Sequence, residues 1–330
     1  MTPLQKQLLA SFPNYTWLFD EPLSPLTYAK IGGAAEALLK VTDPEIAASV
    51  IKFCTQSNIR CTYLGGASNV LIDDAGISGV VLQYQDTTVR VIQSVPSKQT
   101  IVFIASGTKT ALAVSKTVAL GLTGLEYFLG VPGTIGGAIY NNAHYLSDLI
   151  DKHILRVQAI TEHGDIVWYT HDACAFDYEQ SRFQSNHELI VGAEFALTAG
   201  DPETSKAKIA QATQYRAASQ PLGIPSSGCM FRNPANTPTL RQLFPQFADK
   251  DYIPAGYLID QAGLKGERVG AVSVSKKHAA WIINGGNGTS ADVKKLVSNI
   301  QKKIVEKYGV QLETEVFFLS DNTDESRKNI

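Results

Sequence analysis

Hydrophobic positions along the chain fall into two rhythms. In DPEIAASVIKFCTQSN, residues 43–58, apolar side chains recur at helical spacing behind Asp43, which suits a cap, and Pro44, which suits the first helical position. IRCTYLGGASNVLI changes to two short apolar runs around a glycine turn, and GVVLQY and TIVFIASG read as β-branched strands. A helical period returns in ALAVSKTVALGLTGLEYF and breaks at Gly121. ILRVQAITEHGDIVWYT has the pattern of a hairpin turning at His163-Gly164, and ELIVGAEFAL reads as another strand. From about Asp201 the pattern changes. PETSKAKIAQATQYRAASQ is a polar, Ala-rich helix, and PLGIPSSG is a proline-glycine connection. TSADVKKLVSNIQKKIVEKYGV is a long amphipathic helix, capped by Thr289 or Ser290 and stopped by Gly309. LETEVFFL is expected to close the core as a strand, and SDNTDESRKNI to form a polar, frayed tail.

This mixture of helix and strand is carried by 330 residues, enough for two or three domains. Hydrophobic residues make up 44% and charged residues 18%, as in an ordinary soluble globular protein. A formal net charge of −2 provides no general attraction for nucleic acid or an anionic membrane, and no basic run encloses the scattered aromatics. No apolar stretch approaches the ~20 residues that span a bilayer, and MTPLQKQLLASFPNYTW lacks the apolar core of a secretion signal. Cys54, Cys61, Cys174 and Cys229 form no CxxC pair and no zinc-spaced cluster, so reduced thiols in the cytoplasm and no metal are expected.

Two loops have the composition to hold a phosphate-bearing cofactor. Gly65-Gly66-Ala67-Ser68-Asn69 follows a strand and lets backbone N–H groups converge on an anion without side-chain obstruction. GVPGTIGGA, from Gly130 to Ala138, has the shape to lie along a pyrophosphate or a flavin edge. Neither is a GxGxxG fingerprint. GVPGTIGG is not expected to follow a strand and open a helix, and no P-loop sequence occurs.

Eight stretches, in order from about Thr27 to Val316, carry a resemblance: TYAKIGGAAE, YLGGASNVLIDDAGISGVVL, GLTGLEYFLGVPGTIGGAIYNNA, FDYEQSRFQ, SSGCMFRNP, AGYLIDQAGLKG, VSKKHAAWIIN and LETEV. Together they resemble the UDP-N-acetylenolpyruvoylglucosamine reductase family. The resemblance implies an α+β fold. Residues 1–200 would form an FAD-binding region of the vanillyl-alcohol-oxidase type in two α+β subdomains split near 85, residues 201–318 a smaller α+β substrate domain, and 319–330 a tail. It implies FAD and NADPH as cofactors, a UDP-sugar enolpyruvyl ether as substrate, and a monomer. NADPH reduces FAD, and hydride passes to C3 of the enolpyruvyl group to give UDP-N-acetylmuramate. The cofactor positions that match are Lys30, Ile31, Gly32 and Gly33, then Leu64, Gly65, Gly66, Ala67, Ser68 and Asn69, then Val131, Pro132, Gly133, Thr134, Gly136, Gly137 and Ala138. The substrate positions are Tyr178, Arg232, Asn233, Gln261, Lys265 and His278.

Hydride addition at C3 pushes charge onto C2 and the adjacent carboxylate, which calls for a cation or hydrogen-bond donor there and for a proton at C2. The resemblance assigns that proton to position 229, where the family commonly has serine and this chain has Cys229. A thiol, with a reference pKa of about 8.5, is a better acid than an alcohol. Glu315 matches the family's catalytic glutamate, although Glu313 stands two residues before it. The match breaks at three points. Glu179 follows Tyr178 where the family has arginine, His144 stands where a glycine is usual, and Phe317 stands where an arginine is common. Arg182, three residues beyond Glu179, is the expected substitute cation. These departures keep two further readings open: an oxidase of the same fold acting on another substrate, and a non-catalytic FAD-binding paralogue.

Overall fold

Three α+β lobes meet around one cavity. The fold was obtained as a computed structural model, which describes residues 1–94, 99–145 and 148–321. The polar tail expected to fray lies, from residue 322, outside the described residues.

In the first lobe a four-stranded sheet runs in the order Trp17–Pro22, Ala34–Val41, Ile77–Tyr84, Cys61–Tyr63, its first pair antiparallel and the others parallel. Strand alternation feeds two cores. Ala37, Leu39 and Val41 face helix Pro44–Gln56, while Leu38 packs with Leu64, Val70, Ile72 and Val81 on the other side. The helix begins as its sequence indicates, with the Asp43 carboxylate accepting from Glu45 N at 2.8 Å and Pro44 in the first turn.

The second lobe is an antiparallel sheet in the order Ile166–Thr170, Ile154–Ile160, Leu189–Ala199, Gln99–Ala105, Val89–Ser94, with Leu122–Thr123 also paired to Leu189–Ala199. The hairpin turns at Gly164, in the left-handed region at φ 85°. Helices Thr110–Ala119 and Ile135–Tyr140 cover this sheet through Ala113, Val114, Ile135 and Ile139, all buried against Val102, Ile104, Ala193 and Phe195. The sequence GVPGTIGG does open a helix but does not follow a strand, so the strand-to-helix context of the fingerprint is absent, as expected. It enters from a 3-10 turn, Glu126–Gly130.

The third lobe packs a three-stranded antiparallel sheet, Arg268–Val269, Val272–Val274 and Ile282–Asn284, against helices Ala255–Gln261 and Ser290–Tyr308. The long helix has a Thr289–Asp292 capping box and ends at Gly309, φ 66°.

Two crossings lock the lobes together. Helix Pro202–Ser219 packs on the second lobe, where Ser205 Oγ donates to Glu126 at 2.7 Å and Tyr145 OH donates to Ala212 O at 3.1 Å. The expected strand 312–319 is a strand only at Phe317–Leu319, which pairs in parallel with Val70–Ile72 of the first lobe. The residues before it, 313–315, are instead tied to the 230–232 segment. The Asp74 carboxylate, also in the first lobe, accepts from Ser290 N and Ala291 N at 2.8 and 3.1 Å and so caps the long helix. No helix among the described residues is long and apolar enough to cross a membrane.

Glu126 is the buried charge at the first of these crossings, 2% exposed. Burial alone would raise its pKa. Hydrogen bonds from Thr123 Oγ1, Ser205 Oγ and Gly124 N outweigh that and hold it at about 2. Its stabilising contribution is therefore present above the unfolded glutamate range and is lost as pH falls toward 2. Glu126→Gln is expected to lower stability by roughly 2–3 kcal/mol in urea unfolding at pH 7, with the gap from wild type closing as pH falls below about 4.

Candidate active site

A cavity of about 570 Å³ lies where the three lobes meet. One wall is made by the two glycine loops. Leu64 to Asn69 and Val131, Pro132, Thr134, Gly137 and Ala138 all line it. The loops touch through bare backbone: a methyl on Gly66 would lie 2.6 Å from Gly133 Cα, so only glycine permits this approach. Gly133 itself sits behind the wall with its N–H on Tyr28 OH at 3.4 Å, and Gly136 lines a small side pocket with Tyr63, Tyr84 and Ser106.

Three features fit this wall to a bound cofactor with phosphate and ring edges. Backbone N–H groups from Gly65 to Asn69 find no acceptor among the described residues, and Ala67 is left-handed at φ 50°, which turns successive N–H groups inward. Thr134 Oγ1 and Tyr140 OH are buried, line the cavity and lack hydrogen-bond partners. Small residues, Gly65, Gly66, Ala67, Ser68, Gly137 and Ala138, make up much of the wall. Lys30 to Gly33, expected at the cofactor, do not line the cavity. That turn is bound between the first and third lobes, with Lys30 Nζ donating to Pro25 O at 2.7 Å, Ile31 3% exposed in the third-lobe core, and Gly33 N donating to Asp73 O at 2.9 Å in the first.

The opposite wall is a three-stranded clamp. Met230 N donates to Ala280 O at 2.8 Å, and Met230 O accepts from Glu315 N at 2.9 Å. Cys229 bridges Trp281 and Phe231 bridges Thr314. The clamp sets Cys229 and Glu315 side by side on the cavity wall, while Glu313 is exposed and outside it. Burial and the nearby carboxylates push the Cys229 thiol up to about 12, with the Trp281 indole and Arg216 opposing. Burial, then the charge of Glu179, raise Glu315 to about 8, against the pull of Arg232. At neutral pH both groups carry their protons.

The arginine expected beside Tyr178 has become part of a different arrangement. Glu179, left-handed at φ 55° and buried, lines the cavity with Oε2 3.5 Å from Arg232 Nε. Arg232 thus neutralises Glu179, and its side chain does not line the cavity. Arg182 does not replace the missing cation. The turn after Ser181 carries it away from the cavity, onto the Tyr169 ring at 3.8 Å, Ala173 O at 3.0 Å and Glu188 at 3.7 Å. Phe317 packs edge-on against Tyr140, with centroids 5.6 Å apart.

Among the substrate positions, Tyr178, Asn233, Lys265 and His278 line the cavity. Asn233 also accepts from Ala255 N at 2.9 Å, capping the next helix, and Lys265 pairs with Asp260 at 2.6 Å. Burial and the charge of Lys265 lower the His278 pKa. Gln261 faces away: it is exposed, and its carbonyl accepts from Lys307 Nζ. His144, where a glycine was usual, lines the cavity and lies tilted against Tyr178 with centroids 5.0 Å apart, and Tyr178 stacks on Tyr252 at 6.3 Å. Arg216, Trp281 and Lys277 also line the cavity and were not among the expected site residues; Lys277 and Trp281 lie inside the stretch VSKKHAAWIIN, whereas Arg216 lies outside all eight stretches. Arg216 lies on a helix that is polar all round, so its burial becomes visible only once that helix is packed.

Residues 220–319 match the family described as UDP-N-acetylenolpyruvoylglucosamine reductase, C-terminal domain, and residues 35–170 match an FAD binding domain. UDP-N-acetylenolpyruvoylglucosamine reductase 2 of Bacillus cereus is 35% identical over 326 residues, 98% of this chain and 99% of its own length. The reductase of Staphylococcus aureus is 34% identical over 95% of both chains. The crystal structure of the reductase from Thermus caldophilus superposes with a TM-score of 0.74 at 26% identity, covering 92% of this chain and 98% of that one. Likeness sustained over whole chains, in sequence and in fold, places this chain in the UDP-N-acetylenolpyruvoylglucosamine reductase family.

Proposed function

We propose that the chain reduces UDP-N-acetylglucosamine enolpyruvate to UDP-N-acetylmuramate, a step of peptidoglycan precursor synthesis, with FAD and NADPH and with Cys229 as the proton donor. The observation that carries this reading is the pairing of a protonated thiol, Cys229, with a protonated carboxyl, Glu315, across a cavity from a glycine cradle. FAD, when bound, supplies the hydride that it takes from NADPH and that reaches C3 of the enolpyruvyl group. Leu64 to Asn69 and Val131, Pro132, Thr134, Gly137 and Ala138 would hold it, with the free N–H groups of Gly65 to Asn69 and the Thr134 and Tyr140 hydroxyls as donors. Cys229 gives its Sγ proton to C2. Even at about 12 the thiol remains a stronger acid than the serine hydroxyl usual in the family. The Trp281 indole and Arg216 stabilise the thiolate left behind. Glu315, neutral below about 8, donates a hydrogen bond toward the charge that develops on the substrate carboxylate. Tyr178, Asn233, Lys265 and His278 line the remaining wall and serve to hold the sugar nucleotide. A monomer in the cytoplasm, where NADPH and nucleotide sugars are at hand, completes the reading.

Anaerobic mixing with NADPH is expected to bleach the flavin band, and the enolpyruvyl sugar nucleotide is expected to restore it rapidly. Recovery only on admitting oxygen would mark an oxidase, and no bleaching would mark a binding paralogue; either outcome rejects the proposal. Cys229→Ala should leave bleaching intact and slow the recovery by about 10²–10⁴-fold, and Cys229→Ser should retain much of the wild-type rate. An unchanged recovery rate in Cys229→Ala removes Cys229 from the proton step. The recovery rate in wild type should be level from pH 6 to 7 and fall above about 8 as Glu315 loses its proton. Glu315→Gln, which cannot ionise, should lower the rate but abolish that fall.

A further inference from the structure

Among the described residues, the cavity wall holds a buried guanidinium that no carboxylate of the protein pairs. Arg216 is 9% exposed and lines the same cavity as Cys229 and Glu315. Its guanidinium makes no hydrogen bond and has no carboxylate within ion-pair distance among the described residues. The other cations near the site are committed or peripheral. Arg232 is paired with Glu179, Lys265 with Asp260, and Lys277 is exposed and donates to Ala217 O at 2.6 Å. Glu315 is neutral at working pH, so it does not offset Arg216 either. A buried guanidinium without a counter-charge is costly, and a ligand anion is what relieves that cost.

The fold holds Arg216 in place. Its stem lies over Gly130, where a methyl would meet Arg216 Cδ at 2.5 Å and Nε at 2.8 Å, and its guanidinium stands 5.5 Å from the Tyr145 ring. The helix behind it is fastened through Ser205 to Glu126 and through Ala212 to Tyr145. Arg216 is also near enough to Cys229 for its charge to favour the thiolate. The carbon that Cys229 protonates bears the carboxylate directly, so an anion site beside that thiol lies one bond from the reacting centre.

Resting on the reaction proposed above, we infer that Arg216 receives the carboxylate of the enolpyruvyl group and takes over the role vacated at Glu179. The charge has moved from the Tyr178 turn to helix Pro202–Ser219, and a second arginine at 179 would then be redundant.

The test compares wild type with Arg216→Gln and Arg216→Lys. It measures flavin content, then affinity from flavin spectral changes on titration with the enolpyruvyl sugar nucleotide and with UDP-N-acetylglucosamine, which lacks the carboxylate. Arg216→Gln is expected to retain flavin, to lose about 10- to 100-fold in affinity for the enolpyruvyl compound, and to bind UDP-N-acetylglucosamine within about threefold of wild type. Arg216→Lys, which preserves the charge and the helix, should recover part of that preference. Loss of flavin from both variants would assign the guanidinium to a cofactor phosphate and overturn the inference. Unchanged affinity, or equal losses for both nucleotides, would make Arg216 structural and overturn it as well. Failure of wild type to prefer the enolpyruvyl compound would reject the reaction itself, a result separable from the variants' behaviour.

Discussion

The peptide group of Met230 is the constraint on which the site depends. Its N–H is bonded to Ala280 and its carbonyl to Glu315, so three segments far apart in sequence share one registration. Its side chain is 2% exposed in the third-lobe core, which anchors the arrangement to the hydrophobic packing of the domain. Cys229 and Glu315 are neighbours because of that registration, and their raised pKa values follow from it. Each is buried, and Glu179 lies close enough to both for its charge to raise them further.

Charge is distributed over the cavity in a way that departs from residue-by-residue expectation. Glu179 introduces a carboxylate where a cation is usual, and Arg232 turns to neutralise it. Phe317 removes a second cation and fills the space by packing on Tyr140. The result is a wall on which Lys265 is paired with Asp260, Lys277 is exposed, and Arg216 is a buried cation without a carboxylate partner among the described residues. Low exposure makes each remaining charge count for more, because fewer water dipoles screen it.

Much of this was legible in the sequence and some was not, for identifiable reasons. Asp43-Pro44, Thr289 and Gly309 marked helix ends because capping is local chemistry. The glycine loops were legible as a cradle, since bare backbone is needed wherever two loops must touch. Cys229 and Glu315 were found through motif resemblance, and the clamp that pairs them depends on long-range register that no local pattern carries. Arg182 was misjudged because three residues along a turn reverse the direction of a side chain, and the Tyr169 face captured it. Gln261 was misplaced for the helical equivalent of that reason, since its neighbour Asp260 faces the cavity instead. Lys30 to Gly33 looked like a cofactor turn and is a packing turn. Arg216 was invisible because a helix with polar residues on every side does not show which of them becomes buried.

The pairing of Phe317–Leu319 with Val70–Ile72 has a consequence for biosynthesis. Phe317 N donates to Asn69 O at 3.1 Å, and Asn69 Nδ2 donates to Glu315 O, a partner 246 residues away. The cradle at Gly65 to Asn69 leaves the ribosome early but acquires its final strand neighbour only after residue 319 has been made. A chain cut before residue 315 would lack the partners that brace Asn69 and the strand Val70–Ile72 that follows the cradle.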